Sequence, residues 1–288
     1  SETFELQPHE PEAYLSKIIS TSYDPEAKCP RWEQFLREVF LEDEELIRYV
    51  QRCVGYSLTG DTSEQVMFVL LGKGGNGKGV FLNVLKELMG KEQYANTMQI
   101  DSITKKTNTG AGHNEDLARL EGARFVVTAE PSAGVKLDEG LVKQITGGDT
   151  VTASYKGGST FEYKPKFKIW LMANYMPRVY GTDDGIWRRL LVIPFERSFK
   201  EEEKDKHLEK KLLEELPGIL NWAIEGCFEW QYLGGLNPPE KVKRKTMEQR
   251  MDSDPIGRFL LEKCDLTGDL NDRVKANELL NAYNEWAF

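Results

Sequence analysis

Histidine is scarce in this chain of 288 residues: only His9, His113 and His207 occur, and they stand apart. A histidine-based metal centre is not expected. Cysteine is thin as well. Cys29, Cys53, Cys227 and Cys264 are widely separated, with none of the short spacings that bind zinc or cycle a disulfide. They read as reduced structural thiols of a cytoplasmic protein. No apolar run approaches the roughly 20 residues that span a bilayer, and no signal peptide opens the chain, so no membrane is expected among its partners. A basic excess is also missing: 47 acidic residues outnumber 38 basic ones, for a net charge of −9. That argues against a protein coating duplex DNA with one broad basic face. A narrow basic channel stays compatible, because local patches rather than net charge attract phosphates. The chain opens on Ser1 rather than Met and is expected to be part of a longer protein.

What is present is a glycine loop in a telling context. Gly72-Lys73-Gly74-Gly75-Asn76-Gly77-Lys78-Gly79 follows the apolar run Val66-Met67-Phe68-Val69-Leu70-Leu71. It precedes Val80 to Met89, whose apolar residues recur at helical spacing up to Gly90. Strand, glycine loop and helix together are the setting of a phosphate-binding loop. The glycines let successive backbone N–H groups, joined by those of Asn76 and Val80, point at one anion, and the helix N-terminus adds its dipole. Lys78 is placed to reach the β- and γ-phosphates of ATP. Position 79, where the pattern has a Ser or Thr hydroxyl for Mg²⁺, is Gly79.

Three further segments fit the same chemistry. Arg124-Phe125-Val126-Val127-Thr128-Ala129-Glu130 is a strand ending in an acid. Glu130 could align water against the γ-phosphate or help hold Mg²⁺, directly or through water; the plainer reading is an exposed strand-end carboxylate. Phe167-Lys168-Ile169-Trp170-Leu171-Met172-Ala173 is another strand, ending in Asn174. Its amide could bond both phosphate and attacking water, although Asn is also a common turn former. Arg188 and Arg189 follow Trp187 and an acidic turn and precede the strand Leu190 to Phe195. An arginine there could stabilise transition-state charge, in its own subunit or a neighbour's; the alternative is an internal pair with Asp183 or Asp184. Between the two acid-ending and amide-ending strands, Thr150–Tyr155 and Thr160–Tyr163 flank Lys156-Gly157-Gly158-Ser159 and read as a hairpin with a glycine tip. Tyr155 and Lys156 could stack on and contact a single strand, although a lone lysine at a hairpin tip is more often simply solvated.

The chain as a whole resembles superfamily 3 helicases, specifically the helicase module of phage and plasmid primase-helicases related to the poxvirus type. The carriers are Cys29-Pro30-Arg31-Trp32-Glu33-Gln34-Phe35-Leu36, Gly55 to Asp61, the loop at 72–79, Asp116-Leu117-Ala118-Arg119-Leu120, Val142 to Asp149, Ala173-Asn174 to Pro177-Arg178, and Gly181 to Arg189. The resemblance implies an AAA+-like α/β core with a parallel sheet, preceded by helices and followed by a winged-helix-like tail. It implies Lys78 on phosphate, Glu130 as the Walker B acid, Asn174 as sensor, Lys156 on a DNA-contacting hairpin, and one arginine of Arg188 and Arg189 reaching a neighbour's ATP. It implies ATP and Mg²⁺ as cofactors, a homo-hexameric ring around single-stranded DNA, and an upstream primase or polymerase domain. Gly79 and Ala129 depart from the commoner pattern, which leaves one acid and no loop hydroxyl for Mg²⁺.

The expected division is a helical region at 1–64, the ATPase core at 65–200, a helical segment and linker at 201–250 with the linker starting at Pro238-Pro239, and the start of the tail at 251–288. Within the first region Gly55 and Gly60-Asp61 are expected to break the helical pattern. Residues 91–115 are expected to form a polar, mobile loop. The function expected is an ATP-driven helicase motor of a mobile-element replication protein. The alternatives are a non-catalytic ATP-binding ring or loader, and a P-loop kinase, which would leave the hairpin and the arginines unexplained.

Overall fold

The structure is a computed structural model that describes residues 10, 12, 16–105, 112–128, 134–181, 184–265, 267, 269 and 271–287. Five parallel strands form its centre: β1 (Met67–Leu71), β2 (Ala95–Met98), β3 (Phe125–Thr128), β6 (Lys168–Ala173) and β7 (Leu190–Pro194), in the order β2-β3-β6-β1-β7. Two further strands, β4 (Val151–Ser154) and β5 (Thr160–Tyr163), form a separate antiparallel hairpin.

The near-continuous apolar runs of the inner strands have a simple cause. A parallel strand covered on both faces has no polar side to present. Residues 67–70 are buried throughout. Alternation then sends them to two different cores. Phe68 and Leu70 join Phe125, Trp170 and Ile193 against helices α1 (Pro30–Phe40), α2 (Glu44–Leu58) and α3 (Lys78–Leu88). Met67 and Val69 join Val126, Ile169 and Leu171 against α4 (Gly112–Ala118), α5 (Glu139–Thr146), α6 (Asp184–Trp187) and the hairpin. In the first core Trp32 stacks on Phe81 at 5.6 Å, and Phe68 packs on Trp170 at 4.4 Å.

Helices before and after the sheet close over the first core. After the short α7 (Leu208–Leu213), α8 (Leu216–Tyr232) lies against α2. The expected break at Gly55 does not occur; α2 runs through it to Leu58. The reason is a close crossing. A Cβ on Gly55 would fall 2.1 Å from the Cys227 amide nitrogen, and one on Gly226 would fall 2.1 Å from the Gln51 carbonyl oxygen. Glu215, just ahead of α8, accepts from the amides of Arg31 (3.1 Å) and Trp32 (2.9 Å) and so caps α1. All four cysteines are free thiols, and burial pushes Cys29 up to about 12.

Two segments differ from the sequence expectation. Part of the expected polar loop at 91–115 is β2, with Ala95 and Met98 buried against β3. It is an edge strand, so Asn96 and Thr97 can face outward, and its polar sequence hides it. The expected linker after Pro239 is a helix, α9 (Glu240–Ser253). It buries only Val242 and carries ion pairs such as Lys245–Glu248, so no apolar stripe advertises it. It covers the outer edge of β7, where the Val192 amide donates to Thr246 Oγ1 at 3.1 Å, as an exposed edge would otherwise invite pairing. Within the segment expected to start the tail lie two helices, α10 (Pro255–Lys263) and α11 (Ala276–Ala287). Among the described residues no helix is long and apolar enough to cross a membrane.

At the start of β6 the buried Lys168 ammonium donates to the carbonyls of Thr59 (2.6 Å), Asp61 (3.0 Å) and Lys166 (3.3 Å) and lies over the Tyr56 ring at 4.6 Å. Burial, helped by nearby Arg124, lowers its pKa to about 7. Below pH 7 the lysine is protonated in both folded and unfolded states; between 7 and about 10.4 the unfolded chain binds more protons, so the lysine's contribution to stability rises with pH. Urea unfolding should therefore show the stability of the parent rising relative to Lys168→Met between pH 7 and pH 10. A stability difference that stays constant over that window would show that Lys168 titrates normally in the fold, and a fall of the parent relative to the variant would show a raised pKa.

Candidate nucleotide and nucleic-acid site

The parallel register builds the site. Leu71 lies opposite Ala173 on one side and Pro194 on the other, so the chain leaves all three strands at one edge. There the Gly72 amide donates to Ala173 O (3.1 Å) and the Phe195 amide to Leu71 O (2.8 Å). The loop that follows is held internally. Asn76 is 3% exposed, and its amide donates to Lys73 O (2.8 Å) and Phe195 O (3.1 Å). Phe199 N closes the far side by donating to Gly75 O at 3.0 Å. Gly77 has φ +85° and caps α3; a Cβ there would lie 2.9 Å from Val39 Cγ2, so both the turn and α1 require glycine.

Lys78 is the first residue of α3 and is 3% exposed. Its ammonium donates to Gly72 O, to Asn76 Oδ1 (3.1 Å) and to Asn174 Oδ1 (3.2 Å). Two residues that the sequence separates by 96 positions thus meet at the strand edge. Val80, in the same helical turn, turns its side chain to the core, leaving its backbone as the part that can face an anion. Gly74 and Gly79 have nothing within 4 Å of a Cβ position. Beside the loop is a cleft of about 500 Å³, lined among others by Lys73, Asn174, Tyr175, Arg197 and Lys245.

Glu130, with Ala129 before it, lies outside the described residues. The strand leading to it, β3, pairs with β6 and is two strands from β1. Among the described residues no group of three His, Cys, Asp or Glu side chains is gathered to hold a metal.

The arginine pair is not part of this edge. Met67 N donates to Arg189 O (2.7 Å) and Met67 faces Leu190, so both arginines sit at the opposite end of β1, about 16 Å away for five residues of strand. The two side chains differ sharply. Arg189 is 8% exposed and donates to Gly185 O (2.6 Å) and Gln65 Oε1 (3.2 Å). Arg188 is exposed and donates to the same Gln65 oxygen at 3.2 Å. Asp184 is salt-bridged to Arg250 at 2.8 Å, and Asp183 lies outside the described residues. Gln65 stands in a polar turn, and nothing in the sequence pattern singles it out.

The hairpin forms as read, and Lys156 is exposed in its turn. Tyr155 is half exposed, but its ring already stacks on Phe161 at 6.0 Å and its hydroxyl donates to Ala118 O at 3.2 Å. Tyr163 donates to Leu117 O at 2.6 Å. The two tyrosines anchor the hairpin to α4, leaving Lys156 as the more available group.

Residues 70–189 match the family described as "Family of unknown function (DUF5906)", and residues 2–41 match the family described as "D5 N terminal like". A protein of Acanthamoeba polyphaga mimivirus named "Putative helicase" is 30% identical over 271 residues, which is 88% of this chain and 28% of that protein. A protein of Frog virus 3 with the same description is 27% identical over 272 residues, 88% of this chain and 27% of its own length. The chain therefore spans under a third of these relatives. In solved structures, the C-terminal region of NrS-1 shares the fold, with a TM-score of 0.61 at 16% identity, over 90% of this chain and 63% of that one. The D5-type N-terminal match and relatives named as putative helicases or a putative primase support a viral primase-helicase family for this chain.

Proposed function

We propose that this chain is an ATP-hydrolysing motor that moves on single-stranded DNA, working as a homo-oligomeric ring with ATP between subunits. The observation that carries the reading is the meeting of Lys78 and Asn174 at the end of β1 and β6. It joins a cation on a glycine loop to an amide on the next strand, the two groups that a γ-phosphate would lie between. The strand order, with the loop strand flanked by β6 and β7, supports an AAA+-like core of the superfamily 3 type. The open backbone at Gly74 and Gly79 and the α3 N-terminus fit a polyphosphate.

ATP with Mg²⁺ supplies the phosphoryl group whose transfer to water releases energy. In this reading Lys78 holds phosphate oxygens, Asn174 orients water against the γ-phosphate, and Glu130 accepts its proton or holds Mg²⁺ through water. Arg188 reaches the neighbour's ATP, since its own loop is a strand's length away. Arg189 holds the turn that presents Arg188. Lys156 contacts DNA phosphates without reading sequence, each such contact adding about −0.7 to the log–log salt slope. A primase or polymerase domain would accompany this module in the full-length protein, in a cytoplasmic setting. The second reading, a non-catalytic ATP-binding ring or loader, rests on the missing hydroxyl at Gly79 and on the single acid, Glu130, that Ala129 leaves. ATP turnover stimulated by single-stranded DNA separates the two.

Lys78→Ala is expected to weaken binding of a fluorescent ATP analogue by about 10- to 100-fold, the loss of a charge-assisted hydrogen bond. Asn174→Ala should bind ATP nearly as well as the parent but turn it over about 100-fold more slowly. Unchanged turnover in Asn174→Ala would move the water-orienting role elsewhere.

The arginines should separate. Arg188→Ala should keep the parent melting temperature and lose about 10³-fold in turnover, with activity returning when it is mixed with Lys78→Ala subunits. Arg189→Ala should melt earlier. No recovery in mixed rings of demonstrated composition would assign Arg188 to its own subunit.

Gly79→Ser places its Cβ in open space, so thermal stability should hold and the Mg²⁺ concentration giving half-maximal turnover should fall. A rise would mean that this loop coordinates the cation in a way the hydroxyl obstructs.

A further inference from the structure

We propose that Gln65 is a positioning residue that ties the base of the β4–β5 hairpin to the arginine pair, so that DNA contact at the hairpin adjusts Arg188. The proposal rests on the reading above, in which the hairpin meets DNA and Arg188 serves the neighbouring subunit's ATP.

One side-chain amide makes the connection. Gln65 Oε1 accepts from Arg188 Nη2 and from Arg189 Nη2, both at 3.2 Å. Gln65 Nε2 donates to Gly147 O at 3.3 Å. Gly147 caps α5, and Gly147-Gly148-Asp149 leads directly into β4. A guanidinium only donates and a peptide carbonyl only accepts, so a single orientation of the amide satisfies both sides. Glutamate could serve the arginines but would set a carboxylate oxygen against the Gly147 carbonyl. Packing follows the same line: Arg189 Nη2 comes within 3.7 Å of where a Cβ on Gly147 would sit.

The backbone of Gln65 is held in a conformation that glutamine rarely adopts. Its φ is +53°, a left-handed geometry that costs a residue with a Cβ about 1–2 kcal/mol. The surrounding turn supports it from several sides. Gln65 N donates to Thr62 O (3.0 Å), Lys168 binds the Thr59 and Asp61 carbonyls, and Trp230 Nε1 donates to Glu64 Oε1 (2.7 Å). Gln65 is thus fixed from below, two residues before β1, while its amide reaches the arginines on one side and the hairpin turn on the other. The glycine turn before the hairpin, which the ATP site does not use, acquires a role here. A shift of the hairpin on DNA would move Gly147, and through the shared amide would change how Arg188 is presented to the next subunit.

The test measures ATP turnover with and without oligo-dT for the parent, Gln65→Glu and Gln65→Ala, with thermal melts as folding controls. Gln65→Glu keeps the acceptor for both arginines and deletes the donor to Gly147. The expected result is that oligo-dT stimulation of kcat is lost in Gln65→Glu, while KM for ATP and affinity for oligo-dT stay within about twofold of the parent. Gln65→Ala, which removes both contacts, should lower kcat further; where it fails to fold, Gln65→Glu decides. Gln65→Glu stimulated as strongly as the parent overturns this proposal alone. Loss of oligo-dT binding in Gln65→Glu also overturns it, since the residue would then act on DNA directly. A parent chain that hydrolyses no ATP in either condition removes the motor reading, and this proposal with it.

Discussion

Strand β1 has hydrogen-bonded neighbours on both sides and apolar cores on both faces. A strand so placed cannot slip by one residue without exchanging Phe68 and Leu70 for Met67 and Val69 between cores of different shape. Its register with β6 and β7 is therefore held by packing, and the positions of the residues at its two ends follow. At the carboxyl end the loop, Asn174 and the chain after Phe195 converge. At the amino end Gln65 and the two arginines converge. The chemistry at each end inherits the precision of a rigid element rather than of a loop.

That separation bears on how an ATP motor of this form would work. Groups at opposite edges of one sheet cannot act on one phosphate within a subunit, but they suit a repeating arrangement in which one subunit's amino edge meets the next subunit's carboxyl edge. Such head-to-tail contacts close into rings when the rotation allows. The contrast between Arg188, exposed, and Arg189, buried on Gly185 O, divides the pair into a group that reaches outward and a group that holds the turn.

The turn at 59–65 is the other point of convergence. It links α2 to β1 and receives the Lys168 ammonium, the Trp230 indole and the Tyr56 hydroxyl. Buried polar groups of this kind specify geometry because leaving any of them unpaired costs about 1–3 kcal/mol. Helices α2 and α8, which precede and follow the sheet in the chain and cover the same core, are thereby joined to the amino edge through side chains that no periodic pattern marks.

Much of this molecule could be read from the chain alone because its signals are local. Glycine spacing, the apolar runs of β1, β3, β6 and β7, and the hairpin with its glycine tip depend on short-range backbone preferences and on burial. They mark the strand–loop–helix unit around Lys78 and the strand end at Asn174. Edge strand β2 and helix α9 escaped notice because each buries few residues, and periodicity reports burial rather than hydrogen bonding. The run of α2 through Gly55 depended on a partner helix that meets it at Gly226 and Cys227, far along the chain. The contact between Lys78 and Asn174, the placement of the arginines on the far edge, and the triple use of the Gln65 amide were decided by tertiary structure alone. Each depends on which strands lie side by side and in what register, and that follows from long-range packing that residue order does not express.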